Sequence, residues 1–259
     1  MADSPLLTIV VTTHYRPGQL VSALKSIREQ GDLPVEIILC DDAGGAETRH
    51  VAADMLSDRD ILISRPGMRG PAESRNFGIE LARAPWIGFL DDDDRLAPGW
   101  LARLFPELRD PTPRVLFGDF MLCNTHAAGP SGRSDGSPGQ RIDTGAAPVF
   151  SLRVRNMIHS AAFVMPRTVS ARFDPALRSH EDWDFLLALH AEIPFQHLSV
   201  VASEYYAAPA GNRNSVSART LAADYLAIYE RHPTMELPMQ LARVEWLRQL
   251  GGMASGAEG

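Results

Sequence analysis

Two cysteines, Cys40 and Cys123, are all that the 259 residues contain, which excludes a disulfide framework. Cys40 closes an apolar run and reads as a small buried side chain. Basic residues are also scarce. Lys and Arg number 25 against 32 Asp and Glu, a net charge of −7 that argues against a nucleic-acid partner, whose phosphates call for a basic surface. A nucleotide needs only a local site, so it stays open. The apolar run "LLTIVV" near the start is too short to cross a bilayer, and Asp3 stands where a signal peptide carries basic residues. A cytoplasmic setting is therefore expected. There is no GK[ST] phosphate loop and no serine-nucleophile elbow. His159 and His180 lack zinc-site spacing, and no Cys/His cluster accompanies them.

What is present alternates. "LLTIVVTT" is short, β-branched and apolar, a buried strand, and "RPGQLVSALKSIREQG" follows with Leu20, Leu24 and Ile27 at helical spacing. "VEIILCDD", "DILIS" and "PWIGFLDDDD" read as further strands. "AETRHVAADMLSD", "GPAESRNFGIELARA" and "APGWLARLFPEL" read as the helices between and after them. Phe77 and Leu81 mark an apolar i, i+4 pair in the second of these, and Pro98 suits the first turn of the third. Such alternation predicts an α/β fold, a largely parallel sheet with helices on both faces. "RVLFGDFMLCN", "SAAFVMP" and "FQHLSVVASEYYAA" add strands, "SHEDWDFLLALHAE" a helix, and the tail from Ser217 to Leu250 is predicted helical. The Gly/Ser/Pro-rich stretch 123–147 lacks periodicity and reads as a mobile loop, a lid or a surface insertion.

Ligands of such sheets bind beyond the carboxyl ends of the strands. Asp41-Asp42 and the run Asp91 to Asp94 both fall there. Four adjacent carboxylates repel one another and call for a positive partner, and Mg²⁺ or Mn²⁺ prefers carboxylate oxygens together with substrate phosphates. In an extended chain Asp91 and Asp93 face one ligand while Asp92 faces elsewhere. The alternative is that Asp94 caps the following helix and the others are solvated. Asp42 either accepts from a base or ribose or initiates a turn. Arg69 and Arg75 lie near a helix start, placed to meet a phosphate or to sit in solvent. Glu181, Asp182 and Asp184 open a helix, as caps or as a general base for a hydroxyl.

In joint order, "LLTIVVTTHYRPGQLVSALKSIREQ", "VEIILCDDAGG", "RGPAESRNFGIELARAPWIGFLDDDDRLAPGWL" and "FDPALRSHEDWDF", with "GNRNSVS" as a weaker match, resemble the family 2 glycosyltransferases. These are inverting enzymes with the GT-A fold. The resemblance implies a GT-A domain over 1–215, with a nucleotide-sugar-binding part over 1–122 and an acceptor and catalytic-base part over 148–215. Residues 216–259 would form a helical extension. It places Thr13 and Asp42 by the base and Arg75 near the donor's nucleotide. Asp91 and Asp93 correspond to a D-x-D motif, Asp91 towards ribose or sugar and Asp93 towards a Mn²⁺ or Mg²⁺ cofactor. Asp182 corresponds to the catalytic base, Glu181 shapes the acceptor site, and Arg213 reaches the diphosphate. Two departures stand out: Asp92 and Asp94 surround the motif with extra charge, and "DDAGG" replaces the more usual "DDGS".

The implied partners are a nucleotide-sugar donor, UDP favoured because Asp42 suits an imide N–H, and a glycan, lipid-linked, protein or small-molecule acceptor. Peripheral contact at the inner face of the cell membrane follows from the resemblance alone. Leu241, Val244, Leu247 and Leu250 share one helical side and read as core or as a homodimer contact. Two other readings use strand-end carboxylates: a nucleotidyltransferase that forms sugar nucleotides, and a non-catalytic acidic metal-binding module. The first lacks its usual glycine-rich basic loop, and the second leaves "EDWDF" unexplained.

Overall fold

The computed structural model describes residues 4–67, 70–124, 139–145, 149–177, 179–207 and 218–255. The chain opens with β1 (Leu7–Thr13), α1 (Pro17–Arg28), β2 (Val35–Asp41), α2 (Ala46–Met55), β3 (Ile61–Ser64) and α3 (Pro71–Leu81). Next come β4 (Trp86–Asp91), β5 (Arg95–Leu96), α4 (Trp100–Leu108), β6 (Val115–Asn124) and β7 (Gln140–Ile142). The remainder is α5 (Val149–Leu152), a 3₁₀ turn at Ser160–Ala162, β8 (Phe163–Pro166), α6 (Glu181–Glu192), β9 (Phe195–Ala207), α7 (Ala218–Arg231) and α8 (Leu237–Ser255). Among the described residues no helix is long and apolar enough to cross a membrane.

The strands form one sheet in the order β3-β2-β1-β4-β8-β6-β9-β5, with β7 added to β6. β1 runs parallel to β2 and β4, and β6 parallel to β9. β8, β5 and β7 pair antiparallel, so the sheet is mixed and mostly parallel by paired length. Register does the positioning. Thr13 pairs with Asp41 and Thr12 with Asp91, so three strands deliver their polar carboxyl ends to one rim.

Alternate residues along each strand feed two cores. Leu7, Ile9 and Val11 of β1 meet α1, α2 and α4 on one face, whereas Val10 joins Ile38, Phe89, Phe163 and the aromatic residues of α6 on the other. Each fully buried Leu, Ile, Val or Phe contributes about 1.5–3 kcal/mol. Phe173 stacks on Phe185 at 3.9 Å, with Phe89 edge-on to both.

The structure departs from the pattern in four places. Phe77 and Leu81 are not the buried face of α3, being 41% and 39% exposed; Ala72, Ser74, Arg75, Gly78 and Ile79 are. The reason is close approach: a Cβ on Gly78 would stand 2.3 Å from Val10 Cγ1, so the helix lies on β1 through its smallest residues. Pro98 precedes α4, whose N-cap is Gly99 in the left-handed region; Asp94 does not cap that helix, and Gln30 Oε1 accepts the Leu101 N–H of its first turn at 3.2 Å. Within 123–147, residues 140–142 pair with β6, while 125–138 and 146–148 fall outside the described residues. The stripe on α8 divides. Leu250 is buried and Leu247 packs on the core, yet Leu241 and Val244 are 60% and 64% exposed.

Candidate active site

The rim of the sheet opens into a cavity of about 500 Å³ lined by Thr12, Thr13, His14, Arg16, Asp42, Gly70, Pro71, Arg75, Asp91, Asp92, Asp93 and Glu181. Asp42 is buried, and Ser74 Oγ donates to its Oδ1 at 2.6 Å. Thr13 Oγ1 donates to Asp92 Oδ2 at 2.7 Å, which joins the end of β1 to the turn after β4.

The four aspartates have four different surroundings. β4 ends at Asp91, and the Asp94 N–H donates to the Asp91 carbonyl, so a turn replaces the extended alternation expected of the run. Asp91 accepts from Thr12 Oγ1 at 2.7 Å and from Arg75 Nη2 at 2.8 and 2.9 Å. Burial raises its pKa, but Arg75 and Thr12 outweigh that and hold it below the ordinary carboxylate value. Asp92 is a structural tether, buried and accepting from Thr13, the His14 N–H and Arg16. Asp94 is buried against His159 Nε2 at 3.1 Å and accepts the Tyr206 N–H.

Asp93 differs from all three. Its side chain is 38% exposed and, among the described residues, meets Arg16 Nη1 alone, at 2.5 Å. Burial, with Asp94, Asp91 and Asp92 close by, pushes its pKa up to about 6. Burial and the neighbouring carboxylates outweigh its contact with Arg16.

Arg75 spans the floor. One arm of the buried guanidinium holds Asp91 and the other donates to Glu181 Oε1 at 2.8 Å. Glu181 begins α6, after His180 in a left-handed conformation (φ 58°) whose own side chain makes no cap. Asp182 follows, accepting from Asn156 Nδ2 and the Trp183 N–H, both at 2.8 Å. Burial and the neighbouring Glu181 raise its pKa. Asp184 turns away to Arg231 and His232, tying α6 to α7.

Asp182 opens onto a second cavity of about 730 Å³ that also includes Asp93. Arg75, Asp91, Asp93 and Glu181 line both cavities, so the two adjoin. Thr13, Asp42, Arg75, Asp91, Asp93, Glu181 and Asp182 are thus gathered around one double cleft; Arg69 and Arg213 fall outside the described residues. Sequence reasoning missed Arg16, Asn156 and the partnership of His159 with Asp94. None belongs to a spaced motif; only the shared order of strand ends hints at Arg16, three residues beyond the end of β1.

Among the described residues, Asp119, Asp143 and His197 form a donor set of the kind that holds an ion. It lines neither cavity, and Asp119 is already engaged by Arg141, Thr144 and His197.

The sequence profile of glycosyl transferase family 2 matches residues 8–165, from β1 through β8. A Campylobacter jejuni GalNAc(5)-diNAcBac-PP-undecaprenol beta-1,3-glucosyltransferase is 31% identical over 121 residues, 46% of this chain and 39% of that protein. The chain spans well under half the length of the first curated relatives it matches. S. aureus TarS 1-349 in complex with UDP-GlcNAc superposes with a TM-score of 0.66 at 16% identity, covering 93% of this chain and 71% of that one. Mannosyltransferase PcManGT from Pyrobaculum calidifontis, in complex with GDP-Man and Mn²⁺, gives 0.65 at 17% identity, covering 100% and 77%. At those identities the two structures establish the fold, which is the GT-A arrangement.

Proposed function

The chain belongs to glycosyl transferase family 2, and on that footing we propose that it moves a sugar from a nucleoside-diphosphate sugar, a UDP-sugar by preference, to an acceptor hydroxyl with inversion, in glycan or glycoconjugate assembly. One observation carries the reading: Arg75, Asp91, Asp93 and Glu181 line both cavities, so a donor in the first presents its anomeric carbon to an acceptor in the second. The UDP preference draws on the UDP-GlcNAc complex of TarS and on Asp42, whose carboxylate suits an imide N–H.

Thr13 and Asp42 take the base, and Asp91, fixed by Arg75, takes the ribose or sugar hydroxyls. The residues fit a hard divalent cation. Asp93 is a half-exposed oxygen donor crowded by three other carboxylates, with a pKa pushed up to about 6. Asp93, with Asp91 beside it, would hold Mn²⁺ or Mg²⁺, which supplies charge neutralisation on the departing diphosphate.

Asp182 takes the proton of the acceptor hydroxyl as the oxygen lone pair forms a bond to the anomeric carbon. The opposite C–O bond breaks, and its electron pair leaves with the nucleoside diphosphate. A raised pKa makes Asp182 the stronger base, and Asn156 aims it into the cleft. General-base help is typically worth about 10²–10⁴ in rate, and ordering two reactants about 7–11 kcal/mol. Glu181, held by Arg75, sets the start of α6 and with it the direction of Asp182.

The test is nucleotide release from a panel of UDP- and GDP-sugars with Mn²⁺, with product anomers assigned by NMR. Transfer should stop reversibly with EDTA and give the anomer opposite to the donor. Full activity under chelation overturns the cation assignment, and a retained anomer overturns inversion.

A further inference from the structure

The second cavity has two chemically opposed parts. One carries Asp91, Asp93, Asp94, Glu181 and Asp182, and much of the remaining wall is apolar, with the rings of Phe120, Tyr205, Tyr225 and Trp246 among aliphatic side chains. Three cations line it: Arg75, His159 and Arg155. Arg75 is taken by Asp91 and Glu181, and His159 by Asp94. Arg155 alone of the three has no carboxylate partner among the described residues. It is exposed, with its guanidinium carbon 4.8 Å from the centre of the Trp246 ring. Stacking on an indole face fixes the plane of a guanidinium and leaves its in-plane N–H groups for a ligand.

The platform beneath Arg155 is tied to the reacting end. Trp246 packs on Tyr225 at 5.9 Å, and Tyr225 on Trp183 at 4.7 Å, the residue next to Asp182. Asn156, next to Arg155, donates to Asp182 itself. An anion seated on Arg155 is thereby held in fixed relation to the hydroxyl that Asp182 deprotonates. With Arg75 and His159 held by carboxylates, Arg155 is the cation of this lining left to seat it.

We propose that the acceptor is a sugar bearing an oxyanion, a phosphate or a carboxylate, which Arg155 grips from its seat on Trp246. The proposal names the acceptor class for the transferase reading and rests on it. A guanidinium fork matches the paired oxygens of either group. A neutral sugar would leave the fork unmatched.

The experiment fills the donor cavity with UDP and Mn²⁺ and titrates glucose, glucose 1-phosphate and glucuronate, following tryptophan fluorescence. Of the four tryptophans, Trp86, Trp100 and Trp183 are buried, so a ligand in the cleft reports through Trp246. An anionic sugar should bind about tenfold or more tightly than glucose, with the advantage fading as salt rises. Arg155→Ala should erase the preference and Arg155→Lys keep part of it, with UDP affinity unchanged in both. Whichever anion wins distinguishes a phosphate from a uronate acceptor. Equal binding of all three sugars, or a preference that survives Arg155→Ala, overturns the proposal. Failure of UDP to bind sinks the transferase reading instead; the same titration without nucleotide then judges Arg155 alone.

Discussion

His159 Nε2 lies 3.1 Å from Asp94 Oδ2, and the contact commits the last carboxylate of the aspartate run to the wall of the second cavity. Burial disfavours the charged imidazole, but Asp94 next to it, with Asp91 and Asp182 nearby, outweighs burial and raises its pKa. Ser203 Oγ, 3.0 Å from Nδ1, and the rings of Phe120 and Tyr205 fix its plane. Asp94→Ala leaves that nitrogen buried and unpaired, which should lower stability by about 2–3 kcal/mol in denaturant titration. Asp94 is the neighbouring charge that acts most on Asp93, so Mn²⁺-dependent UDP affinity should shift modestly with the lost negative charge and not collapse. A large loss of Mn²⁺ affinity would instead make Asp94 a ligand to the cation.

Arg75 should matter more for rate than for nucleotide affinity. Lysine offers a point charge and cannot serve Asp91 and Glu181 together as the fork does. Arg75→Lys is expected to lower kcat about 10–100-fold, the scale seen when groups that orient a site are lost, while UDP affinity falls far less. Calorimetry with UDP separates the two. If affinity collapses and kcat survives, Arg75 reads the nucleotide directly.

Gly78→Ala tests the seat of α3, which carries Arg75. The new methyl would stand 2.3 Å from Val10 Cγ1 and 2.6 Å from Cγ2, with strand β1 behind. Overpacking of this kind costs about 1–3 kcal/mol, and thermal melting should show it. Val10→Ala in the same chain should recover part of the loss. Additive losses in the double variant would mean that the methyl is accommodated elsewhere.

The first half of the fold was legible because β1, β2 and β4 are buried on both faces and read as continuous apolar runs ending in aspartates. Their parallel register converts that pattern into a shared rim, so Asp41-Asp42 and the aspartate run could be grouped from order alone, with Thr13 added by the family resemblance. The face of α3 was not legible, since close packing on β1 favours Gly78 and Ala72 over Phe77, the reverse of a hydrophobicity reading. Nor was the division of labour among Asp91 to Asp94. Partners 76 or more residues away in Arg16 and Thr13, and the turn after β4, decide which carboxylate is a tether and which is left half-exposed. β7 escaped notice because three residues within a Gly/Ser/Pro-rich stretch carry no period.

Asp182 sets both an activity limb and a stability trend, and the two must agree in sign. Its folded pKa is raised by burial and by Glu181, so the native state holds that proton more tightly than the unfolded chain does. Below the unfolded value near 3.8 both states are protonated and the group is neutral for stability. As pH rises through the folded pKa, the native protein must ionise a buried acid and loses stability relative to an amide in its place. Asp182→Asn should therefore melt higher than the parent at neutral pH, with the difference shrinking towards pH 4. Transfer by the parent should climb with pH along an acid limb lying above the ordinary carboxylate range. In Asp182→Asn that limb should vanish and kcat should drop by about 10²–10⁴, with UDP affinity kept. Near-normal turnover in the variant would remove Asp182 as the base. A variant less stable than the parent at neutral pH would show that Asn156 and the Trp183 N–H already repay the buried charge in full.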